Sequence, residues 1–255
     1  MSEIIFYEQP LNERMRSFLR LEHLFKHAAY TLRGYSVWDS RSTLTNITAI
    51  LDVLSRNDLK TELLKELERQ EKTLAALSDL PSVDKVQLNN VLKQIKTSQE
   101  NILALSGQLG QNIRDHDLLS NLRQRSSVVG GSCDFDIPLL HHWLQQAPEK
   151  RIEKLEEWMD KLEVISQPIS LILDIIRESS YADDMTAEKG FYQQNIESNA
   201  PVQLIRVGIE NALECFPEIS GGKQRFSVRF MQPQDSERPI QYQEDVKFLL
   251  VCCAL

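Results

Sequence analysis

The chain has little of what disulfide-stapled, fibrous or membrane proteins are built from. Only four of its 255 residues are cysteine, and Cys133, Cys215, Cys252 and Cys253 lack the spacing of a zinc site or a CxxC redox pair. A reduced setting is the simplest reading. Nine glycines and nine prolines argue against long low-complexity or disordered tracts. No stretch approaches the ~18–20 apolar residues that a membrane span needs. The opening MSEIIFYEQP lacks the basic start and long apolar run of a secretory signal. Together these absences predict a cytoplasmic chain. Positive charge is also in deficit. Lys and Arg number 29 against 37 Asp and Glu, a net charge of -8. That balance argues against wholesale binding to nucleic acid or anionic membrane. There is no fixed-period repeat, and the helical stretches are interrupted too often for one long coiled coil.

What is present is ordinary soluble-protein material, 42% hydrophobic and 26% charged, long enough to bury a core without staples. EIIFYEQ reads as a short strand ended by Pro10. From Leu11 the period changes, and Leu11, Met15, Phe18, Leu19, Phe25 and Ala29 predict one face of a helix. WDSRS reads as a loop. Leu44, Ile47, Ile50, Leu51 and Leu54 mark a second helix. Asp58 is placed to cap a third, carried by Leu59, Leu63, Leu67, Leu74 and Leu77. Leu88 to Leu105 makes a fourth, and Leu118 to Leu122 a shorter one. Pro138 and Pro148 open two more, and Pro168 is expected to kink or break the second of these.

After about residue 182 the texture turns to strands and turns. GFYQQNIE, VQLIRVGIE, QRFSVRFM and VKFLLVCC are short β-branched or aromatic runs with brief connections, which predicts antiparallel pairing. A lone N-terminal strand is not stable by itself, so it is expected to join them. The predicted fold class is α+β, mainly α. A helical bundle domain over 11–180 stands beside a small antiparallel β-sheet domain built from 1–10 and 181–255.

Several basic patches stand out against the acidic whole. Arg16, Arg20, His23 and His27 follow helical spacing on one side of the first helix. Such a stripe is either a solvated face or an anion-accepting one, since arginine grips carboxylates through two parallel hydrogen bonds. Alternation in QRFSVRFM puts Phe226, Val228 and Phe230 on one face and Arg225, Ser227 and Arg229 on the other. Arg123 and Arg125 end a helix before Gly130–Gly131. They also suit the macrodipole there, and the two glycines lack phosphate-loop spacing. Cys133 lies eight residues before His141, so a thiol enzyme using both is one alternative. A buried structural cysteine is the plainer one. Adjacent His141 and His142 point roughly 100° apart on a helix and cannot share a metal, and Cys252–Cys253 has no clustered partner. A purely structural helical oligomer is a further alternative.

Five blocks carry a resemblance over nearly the whole chain: EQPLNERMRSFLRLE, KTELLKELERQ, LRQRSSVVGGSCDFDIPLLHHWL, KGFYQQN and FPEISGGKQRFSVRFM. They closely resemble the Z-ring-associated protein D (ZapD) family of bacterial cell division. The resemblance implies a cytoplasmic, non-enzymatic factor that acts at midcell during septation. Such a factor binds the C-terminal tail of FtsZ, the tubulin-like division protein, and as a homodimer bundles FtsZ filaments in the Z-ring. It implies no cofactor, metal, nucleic acid, membrane or small-molecule partner. An FtsZ-type tail mixes acidic, apolar and basic residues, so its receptor should pair arginines with an apolar groove. The expected tail-binding residues are Arg16, Arg20, Arg123, Arg125, His141, Arg225 and Arg229, converging where the two bodies meet.

Overall fold

The computed structural model describes residues 3–55, 58–78, 80–81, 83–196, 202–211, 214–222, 224–235 and 237–255. The chain forms two compact units. One comprises Met1–Arg16 with Leu173–Leu255, the other Ser17–Ile172. Both unit boundaries fall inside helices.

The helical unit is built on α1 (Glu13–Leu32), α2 (Val37–Ser55), α3 (Leu59–Ala75), α4 (Lys85–Ala104), α5 (Gln111–Arg114), α6 (Asp117–Arg125), α7 (Pro138–Leu144) and α8 (Pro148–Glu178). Helix α3 packs on α4, and α2 on α6. The buried side of α1 runs Met15, Phe18, Leu21, Phe25 and Ala28, whereas Leu19 is half-buried and Ala29 exposed. The stripe is thus tilted from the expected one, as a 3.6-residue repeat allows. The sequence also places Ile152, Leu155, Trp158, Met159, Leu162 and Ile165 on one stripe of α8; of these, Leu155, Trp158, Leu162 and Ile165 are buried and Ile152 and Met159 half-buried, and Trp143 stacks on Trp158 with ring centroids 6.4 Å apart.

Three local expectations are corrected. WDSRS is helical, not loop, because Ser36 and Asp39 cap the start of α2 reciprocally. The Asp39 N–H donates to Ser36 Oγ (3.1 Å), and the Ser36 N–H donates to Asp39 Oδ2 (3.0 Å). The Ser36 hydroxyl, which donates to Asp39 Oδ2 at 2.6 Å, and then the Ser36 N–H hold the Asp39 carboxyl below its usual pKa. Asp58 occupies the cap position of α3, but its φ of 43° is left-handed and its side chain makes no cap bond. Pro168 does not end α8, which continues ten residues past it to Glu178. One missing N–H is tolerated where Pro168, Ile169, Ile172, Leu173 and Ile176 are all buried.

The strand unit holds β1 (Ile4–Pro10), β2 (Asp183–Ala187), β3 (Phe191–Asn195), β4 (Leu204–Glu210), β5 (Phe216–Gly221), β6 (Arg225–Gln232), β7 (Ile240–Gln241) and β8 (Val246–Cys253). Its strands divide into two sheets rather than one. The first runs β1-β4-β8-β2, and the second runs β3-β6-β5 with β7 on β6. All pairings are antiparallel, and the N-terminal strand does join this unit, on β4. Both sheets contribute to one core, with Ile205, Val207, Phe248 and Leu250 from the first and Phe226, Val228 and Phe230 from the second. The Phe230 and Phe248 rings lie 5.3 Å apart. Glu8 ties β1 down, accepting from Arg177 Nε at 2.8 Å with Arg206 Nε 3.0 Å away. Asn-Pro residues 199–201, expected to separate two strands, lie outside the described residues.

Candidate functional site

The second sheet presents the clearest candidate surface. Along β6, Phe226, Val228 and Phe230 are buried while Arg225 and Arg229 are exposed, so the alternation predicted for this strand is the one observed. At about 3.3 Å per residue the two arginines stand roughly 13 Å apart along the strand. Neither guanidinium has a hydrogen-bond or ion-pair partner among the described residues. The flanking strands complete the same face. On β3, Asn195 lies opposite Arg225, Gln193 opposite Ser227, and Phe191 opposite Arg229. On β5, Glu218 lies opposite Arg229 and Ser220 opposite Ser227. All of these but Glu218 line an open hollow of about 930 Å³.

Local geometry explains why Phe191 sits at the end of this face. Lys189 and Gly190 both have positive φ, 47° and 71°, and the Phe191 N–H donates to Glu188 O at 3.0 Å. Two successive left-handed residues make the tight turn by which the chain passes from β2 of the first sheet to β3 of the second. A Cβ on Gly190 would stand 2.4 Å from the Tyr242 carbonyl oxygen, so the turn requires glycine twice over.

The other expected residues are arranged differently. Arg16 Nη1 lies 3.1 Å from Glu13, on the first turn of α1. Arg20, one turn further, is exposed and has no partner among the described residues. His23 and His27 continue the exposed side, their rings 6.3 Å apart. Three further candidate cations of the helical unit close on carboxylates. Arg123 donates to Asp52 at 2.8 Å, Arg125 lies 3.5 Å from Asp136, and His141 Nδ1 lies 3.0 Å from Asp134. Asp134 is shared with Arg41, whose other nitrogen donates to the Ser132 carbonyl and whose guanidinium sits 5.7 Å from the Trp38 ring centre. His141 and Arg125 therefore close on acidic residues of one loop.

The sequence reading did not single out Arg41, Asp134, Phe191 or Glu218. Phe191 was legible as a strand residue, but its cross-strand partner was not. For Arg41 there was no signal, because WDSRS looked like a turn.

Three of the four cysteines sit in surroundings that keep the thiol protonated. Burial pushes the Cys253 thiol up to about 12 and raises Cys215 and Cys252 as well, so all three stay protonated near neutrality. Cys133 is exposed, but no hydrogen bond joins it to His141 among the described residues. Nor does any cluster of His, Cys, Asp and Glu suited to a metal ion occur among them. No described helix is long and apolar enough to cross a membrane.

Comparison with known proteins places these features. A family model described as ZapD, cell division protein, matches residues 19–229. A cell division protein ZapD of Methylococcus capsulatus is 42% identical over 255 residues, the full length of both chains. Its counterpart in Enterobacter sp. is 38% identical over 253 residues, 99% of this chain and 100% of the relative. That of Nitrosomonas eutropha is 36% identical over 252 residues, again 99% of this chain and 100% of the relative. The match runs through both units, and the chain belongs to the ZapD family of cell division proteins.

Proposed function

We propose that this cell division protein binds the C-terminal tail of FtsZ and, as a homodimer in the cytoplasm, cross-links FtsZ filaments at midcell. The observation that carries this reading is the Arg225–Arg229 pair. Two exposed guanidinium groups stand on a rigid strand in an acidic protein, with no described partner to satisfy them. Such groups are suited to the carboxylates of an acidic segment, because charge-assisted, two-pronged hydrogen bonds are the strong ones. Arg20 adds a further free cation, and Arg16 one that is held only by an exposed neighbour. Arg123, Arg125 and His141 belong to the proposal as a second cluster, where a tail carboxylate would displace Asp52, Asp136 or Asp134.

The bridging role follows from valence. One tail site tethers a protein to one filament. Two sites in a dimer join two filaments, and the second attachment gains from the effective concentration that the first creates. Weak individual contacts then suffice.

The test is co-sedimentation of FtsZ filaments with the wild-type protein and the Arg225→Glu variant. The wild type should pellet with the filaments and bundle them, and the variant should stay in the supernatant. A variant that pellets like the wild type would favour a purely structural oligomer, whose basic face is merely solvated. Light scattering of the free protein should give twice the chain mass, and a monomer would remove the bridging mechanism.

A further inference from the structure

We propose that Phe191 is a specificity contact of this sheet surface, taking an apolar side chain of the bound segment next to the carboxylate held by Arg229. This rests on the peptide-binding reading above and adds the chemistry that the surface selects. Phe191 is 38% exposed on a face that is otherwise polar. The Lys189–Gly190 turn fixes where β3 begins, and the strand register sets Phe191 directly across from Arg229. Side chains at opposed positions of an antiparallel pair are close enough to touch one ligand group together. An exposed phenyl ring beside an unpaired guanidinium thus offers an apolar contact and an anion contact at one end of the hollow.

The rest of the face supports an extended segment rather than a compact anion. Asn195 stands across from Arg225 at the far end, and Gln193 and Ser227 lie between. Their amides and hydroxyl donate and accept, which suits the backbone of a chain laid along β6. Arg225 and Arg229, roughly 13 Å apart, would meet carboxylates about four residues apart in such a chain. Glu218, across from Arg229 on β5, forms no ion pair with it among the described residues. Its negative charge disfavours a run of consecutive acids there. The surface therefore selects a segment of mixed apolar and acidic character over a plain polyanion.

The experiment measures fluorescence anisotropy of two labelled peptides, the FtsZ tail and an oligoglutamate of similar length. They are titrated with the wild type and with Phe191→Ser, Phe191→Leu, Arg225→Glu and Arg229→Glu. Phe191→Ser should weaken the tail about tenfold, the scale of one apolar side-chain contact. Phe191→Leu should stay within about twofold of the wild type, since Leu keeps most of the apolar surface. Oligoglutamate binding should not change in either. Full tail affinity in Phe191→Ser, alongside loss in Arg225→Glu, would overturn the role of Phe191 alone. So would a parallel fall for oligoglutamate. If both arginine variants bound the tail like the wild type, the peptide-binding reading of this sheet would fail instead.

Discussion

Two groups of candidate cations, one on the second sheet of the strand unit and one around α6 and α7 of the helical unit, meet opposite surroundings. On the second sheet of the strand unit, Arg225 and Arg229 face solvent without a described partner. In the helical unit, Arg123, Arg125 and His141 each close on an aspartate, and Arg41 shares one of those aspartates. Arg151 goes further. It is 4% exposed and donates to Ser40 Oγ and to the carbonyls of Leu144, Gln146 and Tyr35. The same side chain thus does two jobs. A paired or buried arginine spends its donors on the fold, whereas a free one keeps its fork for a ligand. The contrast also runs inside the strand unit, where Arg177 and Arg206 are committed to Glu8.

The largest expected effect comes from reversing the free pair. Arg225→Glu combined with Arg229→Glu should weaken FtsZ-tail binding by a hundredfold or more. Each lost charge-assisted bond is worth about 1.5–3 kcal/mol, roughly ten- to a hundredfold. Anisotropy with a labelled tail peptide reads the loss, and the melting temperature should hardly move because both side chains are exposed. Arg151→Ala should behave in the opposite manner. It orphans four acceptors and leaves a void, so urea denaturation should show about 2–4 kcal/mol less stability.

Much of the fold was legible beforehand, and the reasons are physical. Strict alternation in β6 and the apolar stripe of α8 are periodic signals that burial enforces. The start of α2 was hidden because Ser36 and Asp39 act through reciprocal bonds three residues apart, while Asp39, Ser40 and Ser42 look like turn residues. Strand β5 was missed because Pro217 and Gly221 are poor strand formers. It forms because Ile219 pairs with Val228 over the core. At the candidate site, the sequence identified the cations but not their partners. Asp52 is 71 residues from Arg123, and Asp136 is 11 residues from Arg125. Whether an arginine is free or spent depends on such folded-state neighbours, which no local pattern encodes.

A smaller effect sharpens the contrast from the helical side. Asp134→Asn with Asp136→Asn should release His141 and Arg125 and tighten tail binding about two- to fivefold, since exposed pairs are worth ~1 kcal/mol or less. Unchanged affinity in the same anisotropy assay would remove His141 and Arg125 from the site.

The smallest effect concerns pH. His116 caps α6, its Nδ1 accepting from the Leu118 N–H at 3.3 Å, and its ring packs edge-on against Trp158 with centroids 4.9 Å apart. The residue as a whole is exposed, but that partial cover, reinforced by nearby Lys154, holds its pKa below the usual histidine value. Protonation is thus harder in the folded than in the unfolded chain. The stabilising contribution is complete above the ordinary histidine pKa, about 6.5, and is lost as pH falls through the window beneath it. Urea midpoints across that window should decline modestly in the wild type. His116→Asn, which keeps a capping oxygen without the titration, should remove that component of the decline.

The central claim is that the free arginines of the second sheet receive the FtsZ tail. An amide NMR titration of the protein with unlabelled tail peptide tests it most directly. Shifts should concentrate on β3 and β6, from Phe191 to Asn195 and from Arg225 to Arg229, and should vanish in the double arginine variant. Saturable binding that leaves those residues unshifted would contradict it.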